Sequence, residues 1–219
     1  VVGDYQIGAT ASARLSSNFA TLAFSNGTLS VTPKTLTSAM ANVSKTYDGT
    51  TAAASVSLSL TGALTNDLVS VSSTGAAFAL RNVGAGLVVT ANGLTLSGAD
   101  KGNYVLSAQT ATGTGDILVK SVTASFSASD KIYDGTTAVS VSGWSNGVVA
   151  GDVVTFAANA ANFANKNVGL GKTVTISGIS LGGSDAGNYA LVNQTATSSA
   201  NITAKTITVS YAAADKVYD

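Results

Sequence analysis

One word, written three times along the chain, limits the fold more than any other feature. Lys45-Thr-Tyr-Asp-Gly-Thr-Thr51 returns as Lys131-Ile-Tyr-Asp-Gly-Thr-Thr137, and Lys216-Val-Tyr-Asp219 opens the word again. Tyr47, Tyr133 and Tyr218 are 86 and 85 residues apart. Other landmarks keep the same period: Asp100-Lys-Gly-Asn-Tyr-Val-Leu106 returns as Asp185-Ala-Gly-Asn-Tyr-Ala-Leu191, and Asn82-Val-Gly returns at Asn167. Asp67 answers to Asp152 and Phe78 to Phe163, while Lys34, Lys120 and Lys205 each stand 13 residues before a Tyr-Asp pair. So many landmarks in one order, at one period, mark a repeated folding unit.

The repeat divides the chain into two complete copies, residues 34–119 and 120–204, with the opening of a third at 205–219. Residues 1–33 carry Asn18-Phe19 and then an alternating run to Lys34, in the spacing with which the other copies end, so they are expected to be the tail of a preceding, related unit. The natural polypeptide is expected to continue in both directions. No Gly-, Ser- or Pro-rich linker separates Leu118-Val119 from the next strand pattern, so the copies are expected to join directly at Lys120.

Inside a copy the pattern is strand after strand. Val122, Ala124 and Phe126 alternate with polar neighbours, as Leu36, Ser38 and Met40 do in the first copy and Ile207, Val209 and Tyr211 in the third. Strict alternation predicts half-buried strands. Ser55–Leu60, Gly86–Ala91, Thr173–Ile179 and Tyr189–Val192 read likewise, with Gly, Asn and Asp where turns need positive φ. Seven or eight strands per copy are expected. The one helical candidate is Ala157–Ala164, at most a turn or two because of its asparagines. Short, evenly spaced strands predict an all-β chain of tandem small β-sandwiches, Ig-like in scale and about 85 residues each, in an extended array. A parallel β-helix is the alternative, but it requires a coil period near 20 residues, and only the longer period is present.

Composition then removes functions. Every acidic residue is Asp, and His, Cys and Glu do not occur. Ser-His-Asp and Cys-His catalysis, imidazole or thiolate metal sites and disulfides are thereby excluded, and neither catalysis nor a cofactor is expected. Eleven basic groups balance eleven acidic ones, which argues against nucleic-acid binding. No apolar run reaches the roughly 18 residues of a membrane-spanning helix, so membrane insertion is not expected.

Tyr-Asp-Gly-Thr-Thr near the start of each copy, Asn-Val-Gly in its middle and Gly-Asn-Tyr near its end resemble the YDG repeat of very large bacterial surface and secreted proteins, including filamentous-haemagglutinin-like adhesins. The resemblance covers residues 34–219. Residues 1–33, with Asn18-Phe19, Phe24 and the run Gly27 to Lys34, resemble the end of an MBG domain. What the resemblance implies is a stalk, spacer or filament module at the cell surface or outside the cell. Its partners would be neighbouring repeats and, in a filament, like chains. No catalytic residue comes with the family.

Tyr47-Asp48-Gly49, Tyr133-Asp134-Gly135, Asn103-Tyr104 and Asn188-Tyr189 are the motif residues to place. They are read as structural, the tyrosine packed into the core and Asp-Gly forming the turn after it, with a sugar-binding loop as the alternative. Calcium is weighed because Asp134, Asp152 and Asp185 recur. Such a site takes about six to eight oxygens, usually from clustered carboxylates, and these aspartates are scattered along the chain, which favours Asx turns and caps. A Lys-Asn isopeptide bond, from Lys45 or Lys131 to Asn103 or Asn188, is weighed against ordinary surface lysines. The leading function is a structural segment of an extracellular adhesin or fibre; the alternative is a carbohydrate- or other ligand-binding β-module. Against the alternative, Trp144 is the single tryptophan.

Overall fold

In a computed structural model of the chain, residues 1–8 and 25–218 are described. Asn18, Phe19 and Phe24, part of the expected tail of a preceding unit, lie outside them. The described chain is all-β, with single 3₁₀ turns at Lys101–Asn103 and Ala186–Asn188. It forms two compact units. The first is Val1–Thr46 with Thr50–Leu118; the second is Val119–Asp219 with the three residues Tyr47–Gly49.

In the first unit Lys34–Met40 lies between Tyr104–Leu106, which is parallel to it, and Leu58–Thr61, which is antiparallel. A five-stranded sheet runs in the order Val43–Thr46, Thr110–Leu118, Gly84–Asn92, Gly75–Phe78, Ala52–Ala53. Alternation does its expected work here. Val89 and Ala91 are buried while Val88, next to Val89, faces out, and Leu36, Phe78 and Ile117 are buried with Val89 and Ala91. Met40, Leu58, Val71 and Leu106 close around Ala91, Leu94 and Ala111. Gly3–Ile7 pairs with Gly27–Val31 as a separate antiparallel ribbon.

The second unit is built in the same sandwich-type manner with longer strands. Its main sheet orders Lys131–Ile132, Thr195–Thr203, Gly169–Gly182 and Thr155–Phe163. Ser125–Ala128 pairs with Val141–Trp144, and Lys120–Val122 runs parallel to Tyr189–Leu191. Ala124 and Phe126 pack against Phe163, Val174, Ile176, Ala200 and Ile202, with Tyr133 and Phe156 half-buried at the edge. Full burial of a Val, Ile or Phe contributes about 1.5–3 kcal/mol each. Eight strands fall between residues 120 and 203, and ten between 34 and 118. The first unit breaks at Ser73–Thr74 and Gly93–Leu94, where the second runs on as Thr155–Phe163 and Gly169–Gly182.

Two expectations are corrected. Ala157–Ala164 is no helix, because the strand Thr155–Phe163 runs through it. Eight paired residues along Gly169–Gly182 outweigh alanine's intrinsic preference, and small side chains suit the inner face beside Phe126. Ile207, Val209 and Tyr211 form no strand and are exposed, Ile207 at 83% and Tyr211 at 93%. The equivalent strands at Lys34 and Lys120 are parallel partners of Tyr104–Leu106 and Tyr189–Leu191, some 70 residues further on. Residues 205–211 have no such partner within this sequence. The parallel β-helix is set aside by the antiparallel hairpin pairings that dominate both units.

Candidate functional site

The most elaborate polar arrangement in the second unit begins with a four-residue turn, Val149 to Asp152. The Asp152 N–H donates to the Val149 carbonyl at 3.1 Å. Gly151, third in the turn, has φ +92°, the left-handed geometry that a type II turn needs at that position. The turn sets the Asp152 carboxylate beneath two tyrosines. Tyr189 Oη donates to Asp152 Oδ2 at 2.6 Å and accepts from the Val149 N–H at 2.9 Å. Tyr47 Oη donates to the same Oδ2 at 2.8 Å. The two rings meet edge to face, 5.6 Å between centroids and 77° between planes, an arrangement aromatic quadrupoles favour. Tyr47 is only 1% exposed. Burial, and then the bond to Asp152, push the Tyr189 hydroxyl above its ordinary pKa, so it stays a proton donor across the neutral range.

Two further features hold this turn. The Val153 N–H donates to Asp185 Oδ2 at 2.9 Å, and the Asp185 N–H returns a bond to the Val153 carbonyl at 3.2 Å. The chain reaches Asp185 through Gly183, at φ +99°, where a Cβ would lie 2.3 Å from the Val153 oxygen. The 3₁₀ turn Ala186–Asn188 then delivers Tyr189. On the other side Gly49, φ +79°, brings its backbone so close to Val149 that an added Cβ would meet a methyl at 2.7 Å. Gly49 thus serves both a left-handed turn and a close approach, while Gly135, φ +83°, serves the turn alone.

The first unit contains the same construction. The Asp67 N–H donates to the Leu64 carbonyl at 3.2 Å, with Asn66 in Gly151's place at φ +77°. Tyr104 Oη donates to Asp67 Oδ2 and accepts from the Leu64 N–H at 3.1 Å, and its pKa is raised first of all by the bond to Asp67. The Leu68 N–H donates to Asp100 Oδ2 at 2.8 Å, and Gly98, φ +104°, presses on the Leu68 oxygen as Gly183 does on Val153. A cavity of about 330 Å³ opens here, bordered by Leu64, Asp67, Asn103, Tyr104 and Lys34.

The motif word itself is held by its lysine. Lys45 Nζ donates to the carbonyls of Thr50 and Ala52 at 2.8 and 2.9 Å; Lys131 Nζ does so to Thr136 and Ala138 at 3.1 and 2.8 Å. Lys131 also pairs with Asp134 at 2.8 Å, and Asp134 accepts from the Thr136 N–H and hydroxyl, an Asx turn. These amines therefore clamp their own loop. Lys131, and then the Thr136 N–H, lower the Asp134 pKa to about 2. A carboxylate depressed in the folded state adds stability above its unfolded pKa and loses it as pH falls through the folded value. A carboxyl-carbon NMR titration is expected to show an Asp134 midpoint near 2, rising toward the ordinary value in Lys131→Met; an unmoved midpoint would remove the lysine as the cause.

From the sequence, Tyr47, Tyr104 and Tyr189 read as generic core tyrosines, and Asp152 reads as a calcium candidate with Asp134 and Asp185. The three aspartates have separate protein partners, and no cluster of three acidic side chains occurs among the described residues. The missed signal was the constant interval of 37 residues from Asp67 to Tyr104 and from Asp152 to Tyr189, with a turn former before each aspartate. A second recurring concavity, about 390 Å³ beside Val56 and Val71 and about 720 Å³ beside Val141 and Phe156, is lined without a charge, with Asn159 and Asn162 among the small and apolar residues of the larger one. Trp144 stands outside it, 47% exposed.

A family model described as YDG domain matches residues 32–112 and again 119–198. No curated protein and no solved structure matches the chain.

Proposed function

The chain belongs to the YDG domain family, and on that premise we propose that it is a structural repeat segment, the stalk, spacer or filament body of a large extracellular bacterial adhesin or fibre. One observation carries the reading. The recurring residues of both copies go into holding backbone: Asp67 and Asp152 take tyrosine hydroxyls, Asp100 and Asp185 take main-chain N–H groups, and Lys45 and Lys131 cap loop carbonyls. Residues retained for a ligand would instead leave polar atoms directed at solvent. In this reading the protein is no enzyme and uses no cofactor. Its partners are neighbouring repeats, with like chains beside it in a filament, and nucleic acid and the membrane interior are not among them. Residues 1–33 belong to a preceding MBG-like domain.

Immunogold electron microscopy of intact producing cells, with antibody raised against residues 120–204, tests the proposal. Gold is expected outside the envelope, along extended fibres. Gold confined to the interior of sectioned cells would overturn it.

The binding-module reading draws on the uncharged concavity that both units repeat. Its lack of charge and of an exposed aromatic platform makes it the second choice.

A further inference from the structure

We propose that the uncharged concavity of the second unit receives an extended, uncharged segment of another polypeptide as an added β-strand. The strand Thr155–Phe163 stands at the edge of its sheet, with Gly169–Gly182 on one side. On the other side only its far end is covered: the Phe163 N–H donates to the Thr137 carbonyl at 2.9 Å, and the Val139 N–H to the Ala161 carbonyl at 3.1 Å. The covering chain then leaves, since the Ser140 carbonyl accepts from the Ser129 N–H and Val141–Trp144 pairs with Ser125–Ala128. The two chains fork there, and the cavity of about 720 Å³ lies in the fork, bordered by Phe126, Val141 and Phe156. Main-chain groups alternate in direction along an extended strand, and those of Ala161 and Phe163 turn toward this side. Ala157 and Asn159 therefore turn theirs the same way, and among the described residues no backbone group pairs with them there. A row of main-chain donors and acceptors at strand spacing is matched by another strand.

Charge decides which strand. Exposed edges are usually protected by lysine or proline, yet residues 135–151 and 153–165, which include both walls of the fork, contain neither a charge nor a proline. An ionised side chain entering here would give up its hydration without a counter-charge, so an uncharged segment is selected. The added strand continues the sheet, so alternate side chains face Phe126, Val141 and Phe156 and the others face water. Small apolar residues at every second position fit that pattern. The same edge of a second folded copy carries its own covering chain, which would meet this one first; a lone segment meets no such obstacle. The first unit repeats the fork in reduced form. Ala52–Ala53 pairs with Gly75–Phe78, and the chain then leaves to pair Leu58–Thr61 with Lys34–Met40. Residues 49–66 and 68–80 are likewise free of charge and proline. Its edge is broken at Thr74, whose N–H turns to the Asn92 carbonyl, and the cavity is only about 390 Å³, so the second unit is the stronger receiver.

The inference goes beyond the stalk reading and does not rest on it. It is tested by titrating the isotope-labelled chain with the acetylated, amidated peptide Thr-Val-Thr-Ala-Thr-Val. Saturable amide shifts are expected at Val141, Ala157 and Asn159, together with slowed hydrogen exchange of the Ala157 and Asn159 N–H groups, which become donors to the peptide. The same peptide methylated on every amide nitrogen keeps its side chains and loses its donors, and it is expected to bind at least about tenfold more weakly. The change lies in the peptide, so the receiving chain stays folded. Absence of shifts at those amides up to millimolar peptide, or equal binding of the two peptides, overturns the proposal. So do shifts there that follow the concentration of the chain alone, which would give the edge to a second copy, or that follow cellohexaose and not the peptide, which would give the concavity to a sugar.

Discussion

Tyr47→Ala is expected to destabilise the second unit by about 3–5 kcal/mol, the usual loss for a large buried aromatic. The first unit, within whose sequence Tyr47 falls, is expected to keep its protection. The ring is 1% exposed, packs edge-on against Tyr189, and its hydroxyl bonds Asp152. Domains hold only about 0.05–0.15 kcal/mol per residue, so such a loss is a large part of what a unit near 100 residues possesses. Tyr47→Phe keeps the ring and removes one hydrogen bond to a charged acceptor, for which about 1.5–3 kcal/mol is expected. Hydrogen exchange reads out the location. Amides in Thr155–Phe163 and Gly169–Gly182 should lose protection, and those in Gly84–Asn92 and Thr110–Leu118 should not. Loss of protection in the latter pair instead would place Tyr47 in the first unit and undo the division drawn above.

That expectation could not have come from the sequence, and the reason is physical. Tyr47 and Tyr133 stand in the same word and read as equivalent core tyrosines, yet one is fully buried and the other half-buried at the edge of its core. What separates them lies outside the word: Asp152 and Tyr189 are more than a hundred residues from Tyr47, and nothing local encodes their approach. Tyr133→Ala, for the same reason, should cost the second unit less than Tyr47→Ala. Features that depend on neighbours along the chain were readable. The alternation of Val122, Ala124 and Phe126 did become one buried face, and Asp-Gly did make left-handed turns at Gly49 and Gly135. Features that depend on a partner strand were not. Ala157–Ala164 joins a sheet because Gly169–Gly182 is there to pair with it, whereas the alternation of Ile207, Val209 and Tyr211 forms no strand. The tyrosine–aspartate site belongs to the second kind, although its 37-residue interval was present twice to be noticed.

Gly183→Ala should be the most damaging single methyl in the second unit. Its φ of +99° lies where residues with a Cβ are strained, at about 1–3 kcal/mol for such a conformation. The methyl would also stand 2.3 Å from the Val153 oxygen, a backbone atom that no rotamer change can move aside. That oxygen accepts from the Asp185 N–H, and the Val153 N–H donates back to Asp185 Oδ2, so pushing the carbonyl away opens both bonds of the latch. Val153 follows Asp152 directly. The carboxylate that holds Tyr47 and Tyr189 would therefore shift with it, and the damage should exceed the local strain, with about 3 kcal/mol or more expected. Gly98→Ala makes the same test in the first unit, where the methyl would lie 2.1 Å from the Leu68 oxygen. Chemical denaturation of the two variants, followed by exchange in each unit's own strands, distinguishes this account from a general loss of compactness. Gly183→Ala should weaken the strands after residue 119 and Gly98→Ala those before it. Gly187→Ala, whose Cβ meets nothing within 4 Å, should be nearly silent. If Gly183→Ala is as mild as Gly187→Ala, the latch does not position Asp152, and the tyrosine–aspartate site must be held by its turn alone.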